Sequence, residues 1–417
     1  MFAVNNILFA EELTIEITEG VQIAHKIAVV PFAAPQGDND TDIAAIIAAD
    51  LAASGYFNTL DRSAMLTRPS NPEQVKFRNW AATGQDYLVI GSINQNNGLY
   101  QIQMSLFDVY KKQQLKALRL SVEASSLRMA AHHLSNAIYK KLTGIEGVFT
   151  SRIAYVTSEK NGLKQQYNLN IADYDGANKV SMAQSKEPIM SPAWSPDGDR
   201  IAYVSFEHKV SEIFVQTLST GQRKSVAKYK GINGSPAWSP DGNSLAITLS
   251  KDGNSDIYIL NLASLSLRKL TRSRAIDTEA AWSPDGQKIL FTSDRGRLPQ
   301  LYTMPSHGQG RAERLTFDGN YNARGSYSAD GQTVVMVRGV EGQYRIAVLE
   351  LATGESHALT DGPLDESPSF APNGKTIIYA RRKYNKEILS TVSVDGLRKQ
   401  DIRSATGLVR EPVWSPK

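Results

Sequence analysis

Six short polar stretches, each placed just before an aromatic residue, hold the side chains that could bind a partner. They are Glu187–Met190, Ile232–Ser235, Asp277–Glu279, Tyr321–Ala323, Leu364–Glu366 and Val409–Glu411. Surface loops are polar in most proteins, so a single stretch of this kind indicates no function. Six of them at one position of a repeat would converge on one surface if the repeats form a ring. These residues therefore favour a binding function, carried by loops that a rigid scaffold holds in place.

The residue types that catalysis or metal binding would need are missing or scattered. The chain has no cysteine, which excludes thiol catalysis, disulfides and cysteine-based zinc sites. It contains no Gly-x-Ser-x-Gly nucleophile elbow, no His-Glu-x-x-His zinc motif and no Gly-x-x-x-x-Gly-Lys phosphate loop. The six histidines are scattered, and His132 and His133 are expected on the solvated face of a helix. We therefore predict no catalytic residue, no cofactor and no metal ligand.

The composition is typical of a globular protein. The 417 residues are enough for two domains, and 41% of them are hydrophobic and 21% charged. A net charge of +4 without a large basic block favours an ordinary soluble surface over nucleic-acid binding. No stretch approaches the roughly 18 apolar residues of a membrane span, so no membrane insertion is expected.

A repeated hexapeptide indicates the element that must position the polar stretches. Ala-Trp-Ser-Pro-Asp-Gly begins at Ala193, Ala237 and Ala281, and weaker copies follow. The aromatic residues of the copies lie about 44 residues apart, the span of one four-stranded propeller blade. These six anchors, which predict six blades, are Trp194, Trp238, Trp282, Tyr327, Phe370 and Trp414. Ser-Pro-Asp-Gly predicts a tight turn between two strands, and the aromatic is expected to pack between blades.

The two ends of the repeat region complete each other. Arg152–Val156 resembles the strand Arg200–Val204, but the Trp-Ser-Pro motif that precedes this strand in other repeats is missing before it. Pro412–Pro416 contains that motif without the strand that usually follows it. The last strand is thus predicted to close the ring by joining a first blade built from 152–183 and 411–415. Closure would remove open sheet edges, which otherwise invite aggregation.

The residues before the repeats predict an α/β domain with a mixed sheet. Strand patterns lie at His25–Phe32, Asp86–Ile93 and Leu99–Phe107, and helical patterns at about 41–55, 73–82 and 125–142. Either Asp40 or Thr41 could cap the first helix. The α/β domain is assigned to 11–145 and the propeller to 146–417.

The first residues allow more than one interpretation. Residues 1–10 are apolar and stop at Glu11, as would the residual tail of a signal peptide or a disordered N-terminus. Leu13, Ile15 and Ile17 then alternate with polar residues, which is the pattern of a half-buried strand. Such a strand at a chain end could be an edge strand or a mobile arm.

Several stretches together resemble the TolB family of the Tol-Pal system over about residues 11–417. They are Ile27–Phe32, Tyr87–Ser92, Thr143–Val156 and Glu187–Gly198. The resemblance implies a non-enzymatic periplasmic adaptor, expected to be a monomer, with no cofactor. It implies binding of the lipoprotein Pal at the propeller mouth, where some colicins also bind, and of the TolA C-terminal domain by the N-terminal arm. It also implies a role in outer-membrane integrity and envelope constriction during division, and it strengthens the signal-peptide interpretation, with maturation near Ala10–Glu11.

The resemblance also assigns residues. Family positions implicated in Pal binding fall on Ile232, Ser235 and Thr278, with Ile where His often stands and Ser where Ala stands. The predicted Pal-binding rim comprises Glu187, Ile232, Asn233, Ser235, Asp277, Thr278, Glu279, Asn322, Asp365 and Glu366. The predicted TolA-binding arm comprises Glu12, Leu13, Thr14, Ile15, Glu16 and Ile17, and its alternation suits strand addition to a partner sheet.

Two other classes of function remain as alternatives. A peptidase-type propeller would need an appended hydrolase domain with a nucleophile elbow, and a lyase would need a metal-binding His/Glu set. A propeller that binds sugar or peptidoglycan fits the same polar rim and would be distinguished by the partner that it retains from a periplasmic extract.

Overall fold

The computed structural model describes residues 14–19, 24–34, 41–161, 164–383, 386–403 and 408–416. The chain forms two compact units. One is Ile17–Thr150, and the other joins Ser151–Lys417 with the residues up to Glu16. None of the helices in the described ranges is long and apolar enough to cross a membrane.

The unit Ile17–Thr150 is built on a five-stranded mixed sheet. After β1 (Thr14–Glu19), its elements are β2 (His25–Val29), α1 (Ile43–Ala53), β3 (Phe57–Thr59), α2 (Phe77–Ala82), β4 (Tyr87–Asn96), β5 (Leu99–Asp108), β6 (Gln113–Val122) and α3 (Leu127–Thr143), with 3-10 turns at Arg62–Ala64, Pro72–Gln74 and Ala124–Ser126. The strand order is β3-β2-β4-β5-β6. β2 is parallel to both of its neighbours, whereas β5 is antiparallel to β4 and β6, which confirms the predicted mixed sheet.

The helices follow the predicted pattern, with local differences. The cap of α1 is Asp42, whose carboxylate accepts from the Ala45 amide, rather than Asp40 or Thr41. The second helix begins four residues later than expected, because a 3-10 turn at Pro72–Gln74 precedes it. α3 ends at Gly144, which takes the left-handed conformation with φ 75°.

The expectation for His132 was wrong. Its side chain is fully buried on α3, and Nδ1 lies 2.8 Å from a carboxylate oxygen of Asp50 on α1. His133 is exposed, as expected. Because α1 packs against α3, one of two adjacent histidines faces the core. The sequence pattern alone did not distinguish them.

The second unit is a six-bladed propeller, as predicted. Blade 1 contains β7 (Arg152–Asn161), β8 (Lys164–Asp173), β9 (Val180–Ser185) and β30 (Leu408–Trp414), and blade 2 contains β10 (Ile189–Trp194), β11 (Arg200–Ser205), β12 (Glu212–Thr217) and β13 (Arg223–Ala227). Blade 3 contains β14 (Asn233–Trp238), β15 (Ser244–Leu249), β16 (Asp256–Asn261) and β17 (Leu267–Lys269), and blade 4 contains β18 (Asp277–Trp282), β19 (Lys288–Ser293), β20 (Gln300–Pro305) and β21 (Glu313–Arg314). Blade 5 contains β22 (Tyr321–Tyr327), β23 (Thr333–Val340), β24 (Gln343–Glu350) and β25 (Ser356–Ala358), and blade 6 contains β26 (Asp365–Phe370), β27 (Thr376–Lys383), β28 (Lys386–Ser393) and β29 (Lys399–Arg403).

The C-terminal strand closes the ring, as the sequence predicted. β30 pairs antiparallel with β7, with Trp414 opposite Ile153. The indole Nε1 of Trp414 donates to the Ser151 hydroxyl at 2.6 Å, and its backbone amide donates to Ser369 of blade 6 at 3.0 Å. The two ends of the repeat region therefore share one blade.

The hexapeptide is part of the scaffold. In its first copy, the Ser195 hydroxyl lies 2.5 Å from a carboxylate oxygen of Asp197, and Gly198 takes φ 74° to complete the turn. The Trp238 indole donates to the carbonyl of Ala193 in the preceding blade at 3.0 Å, and the Trp282 indole donates to Ala237 at 3.2 Å. The tryptophans thus join neighbouring blades, and the turns reverse the strands.

Candidate functional site

The first strand of each blade carries a bulge at the same place. In blade 3, Gly234 pairs with Thr248 and Ala237 with Ala246, so Ser235 and Pro236 are left without cross-strand partners. The residue three positions before each aromatic takes a positive φ of 46–56°, a conformation that side chains disfavour. These six residues, called the channel ring below, are Ser191, Ser235, Glu279, Arg324, Ser367 and Glu411. Bulges re-aim side chains, and here they direct one per blade into the centre of the propeller.

The channel ring lines a cavity of about 340 Å³ together with the residues that follow it in each strand. The small residues of this lining include Pro236, Ala280 and Gly325. At Gly325 an added Cβ would come within 2.8 Å of the Leu290 side chain, so a larger residue there would require that leucine to shift.

An arginine connects the blades across this cavity. Arg324 Nε lies 2.9 Å from Glu279, its Nη1 donates to Ser367, and its Nη2 lies 3.7 Å from Glu411. Glu411 in turn accepts from the Ser191 amide. Burial lowers the pKa of the Arg324 guanidinium, but the carboxylates of Glu279 and Glu411 outweigh it and hold the pKa above its ordinary value. Five of the six blades thus meet in one charged network.

Four of the predicted rim residues are buried and hold the loops that enter the blades. We call Asn233, Asp277, Asn322 and Asp365 the anchor residues, and each is fully inaccessible to solvent. The Asn233 amide accepts from the Tyr229 backbone and donates to the carbonyls of Tyr229 and Gly231.

The other three anchor residues lie in similar surroundings. Arg295 Nη2 lies 2.9 Å from both carboxylate oxygens of Asp277, and Asn322 donates to the Asp318 carbonyl at 2.7 Å. Burial raises the pKa of Asp365, beside Arg381. A partner could not touch these side chains, so their contribution to binding would be to fix the loops.

The described loops of the mouth expose several large apolar side chains besides charged ones. The mouth comprises the loops that enter each first strand and the loops that join second to third strands, because antiparallel pairing brings both to one end of the blades. Phe317 is 71% exposed, Ile232 54% and Ile276 51%, while Leu298 and Val340 are also exposed. Exposed apolar side chains gathered on one face are characteristic of interaction surfaces.

The remaining predicted rim residues lie in or beside the mouth. Thr278 and Glu366 are half-buried, and Glu187 forms an ion pair with Lys209. Ser235 and Glu279 belong to the channel ring. Of the predicted arm, Glu12 and Leu13 lie outside the described residues, whereas Thr14, Ile15, Glu16 and Ile17 lie in β1. β1 is hydrogen-bonded to β29 as an additional outer strand of blade 6.

Sequence reasoning missed Arg324 and the apolar side chains of Ile276, Leu298 and Phe317. Aligning the six repeats on their aromatics would have revealed part of this pattern. The position six residues before the aromatic is apolar in every copy, as Pro188, Ile232, Ile276, Tyr321, Leu364 and Leu408. This apolar position lies next to the polar residues that the sequence analysis predicted for the rim.

Comparison with known proteins covers nearly the whole chain. A family model described as "TolB beta propeller domain" matches residues 139–417, and one described as "TolB amino-terminal domain" matches residues 13–115. The chain is similar to the "Tol-Pal system protein TolB" of Xanthomonas oryzae pv. oryzae, with 48% identity over 97% of this chain and 93% of that protein. The corresponding protein of Xanthomonas campestris pv. campestris is 48% identical over 98% of this chain and 94% of its own length.

A solved structure agrees with both sequence comparisons. The crystal structure of TolB from Acinetobacter baumannii has a TM-score of 0.90 and 42% identity, covering 97% of this chain and 100% of that one. The match includes both the mixed-sheet unit and the propeller.

Proposed function

The chain belongs to the TolB family, and from that premise we propose that it is a non-enzymatic periplasmic adaptor of the Tol-Pal system. In this proposal the propeller mouth binds the lipoprotein Pal, and the N-terminal arm binds the C-terminal domain of TolA. Joining the two would support outer-membrane integrity and envelope constriction during division.

The observation that carries the proposal for the mouth is its exposed apolar surface around the channel. Phe317, Ile232 and Ile276 are each more than half exposed, although the loops that bear them are fixed by buried anchor residues. A fixed surface with apolar side chains lowers the ordering cost of binding a folded partner. Thr278 lies in the sequence between Ile276 and the channel ring residue Glu279, so it is well placed to contact that partner.

Replacing Thr278 with tryptophan tests the mouth. We expect Thr278→Trp to weaken binding of the purified soluble domain of Pal by at least about tenfold in calorimetric titration, because a bulky side chain would hold the two surfaces apart. Gln287→Trp is the matched control, since Gln287 is exposed and directly follows the Ser-Pro-Asp-Gly turn that ends at Gly286, at the other end of the blades. Equal affinity of Thr278→Trp and the unmodified chain would contradict the proposal.

The proposal for the arm rests on its strand conformation. β1 already pairs through its backbone with β29, and the same backbone groups could add to a sheet of TolA. Only a partner that binds one arm state better than another can shift the arm. Deleting residues 11–20 should abolish binding of the TolA C-terminal domain and leave binding of Pal measurable. TolA affinity that is unchanged by the deletion would refute the assignment.

A further inference from the structure

Charge is unevenly distributed among the loops of the mouth. We call loops 228–232, 250–255, 271–276 and 294–299 the basic sector; they belong to blades 3 and 4. Four cations in these loops are exposed and form no ion pair within the described residues: Lys230, Arg272, Arg274 and Arg297. Their neighbours Lys228 and Arg295 are neutralised by Glu212 and Asp277. Asp294 is the one carboxylate of the sector without an ion pair among those residues.

Hydrogen bonds join the four loops into one surface. The Ile232 amide donates to the Ser250 hydroxyl at 2.8 Å, which links the first loop to the second. The Asn254 side chain donates to the Ala275 carbonyl at 2.6 Å, and the Ile276 amide donates to an Asp294 carboxylate oxygen at 2.8 Å. Because each loop is tied to the next, the segments that bear the four cations form one connected surface rather than independent loops.

Each group of cations lies beside an exposed aliphatic residue in the sequence. Ile232 follows Lys230, Ile276 follows Arg274, and Leu298 follows Arg297. All three aliphatic side chains are about half exposed. Arginine and large apolar side chains are enriched in protein interfaces, and unpaired like charges that repel one another gain most from an oppositely charged partner.

We propose that the protein bound by the mouth docks on the basic sector through an acidic face that also presents apolar side chains. This inference rests on the proposed function and names the chemistry of the partner surface. A folded protein is favoured over an anionic membrane because the apolar side chains are aliphatic residues on fixed loops. None of the exposed side chains of the basic sector is an aromatic residue of the kind that is typical of membrane interfaces. The acidic face would steer association, so its main effect is on the association rate and its salt dependence.

The test compares two double charge reversals in the full chain. Arg272→Glu/Arg274→Glu alters the basic sector. Lys288→Glu/Arg311→Glu makes the same charge change at exposed positions near the opposite ends of the blades. Association with the purified soluble domain of Pal is measured by stopped-flow fluorescence between low and high salt. We expect the sector variant to associate on the order of tenfold more slowly at low salt, with a shallower salt dependence, and the control variant to match the unmodified chain.

The outcomes separate the inference from the function on which it rests. If the unmodified chain binds Pal and the sector variant associates at the same rate with the same salt dependence, the acidic-face inference is wrong and the proposed function stands. If the unmodified chain does not bind Pal at all, the proposed function fails first. Loss of binding to phosphatidylglycerol vesicles by the sector variant, with unchanged association with Pal, would also overturn the inference in favour of a membrane surface.

Discussion

Arg324 should stabilise the propeller by more than an exposed arginine can. Its side chain is 35% exposed, and those of its partners Glu279 and Glu411 are 23% and 18% exposed. Breaking a buried ion pair costs about 3–5 kcal/mol, whereas an exposed pair is worth about 0–1 kcal/mol. The partial exposure of the three groups places Arg324→Met between these limits, at about 2 kcal/mol. In Arg324→Met the two carboxylates would lose their countercharge inside the channel.

Calorimetry and a double-mutant cycle measure this effect. A loss of about 2 kcal/mol lowers the Tm of a domain of this size by roughly 4–8 °C. The second substitution in Arg324→Met/Glu279→Gln removes one uncompensated charge, so the double variant should recover part of the loss. Arg297→Met is the matched control, because Arg297 is exposed and has no ion pair within the described residues. An Arg324→Met variant within 0.5 kcal/mol of the unmodified chain, the usual range for surface substitutions, would refute the reasoning.

Three further predictions concern the scaffold. Trp414→Ala should lower the free energy of unfolding, measured with urea, by about 3–5 kcal/mol, because Trp414 is buried where the last strand closes blade 1. An unchanged urea midpoint would contradict this account of the closure. Asn233→Ala should cost about 1–3 kcal/mol by leaving buried backbone groups of the entering loop unpaired, whereas the exposed Asn243→Ala should cost less than half as much. The hydroxyl of Ser195 holds the pKa of Asp197 below its ordinary value, and serines do the same for the turn residues Asp241 and Asp330. A carboxyl group with a lowered pKa stabilises the folded state above about pH 4, and this stabilisation is lost as the pH falls further and the group is protonated. The Tm should therefore fall steeply below about pH 4, and a Tm that does not change with pH in this range would contradict the prediction.

The sequence predicted the architecture because each structural rule acts locally and repeats. The aromatic spacing gave the number of blades, and the incomplete copies around Arg152 and Trp414 gave the closure. Pro, Asp and Gly in the turn have conformational preferences that do not depend on distant residues. The helices of the first unit were predicted for the same reason, while the location of the Asp42 cap depended on a choice between adjacent polar residues.

The site is less predictable from the sequence because several polar residues of these loops are buried. Asn233 and Asp277 are polar because a loop that enters a blade buries backbone groups that need hydrogen-bond partners. The channel ring could not be predicted from alternation, since its direction comes from a bulge that breaks the alternation. Arg324 and Glu279 have no common motif with their counterparts Ser191 and Ser235, and only closure of the ring brings them together.

Hydrogen–deuterium exchange of the full chain with and without the soluble domain of Pal tests the central claim most directly. Binding at the mouth predicts slower exchange in the segments 228–235, 271–279 and 294–299. The Ser-Pro-Asp-Gly turns, such as 239–242, should exchange at the same rate in both samples. Protection confined to those turns, or no protection anywhere in the propeller at saturating Pal, would contradict the assignment of the mouth as the binding surface.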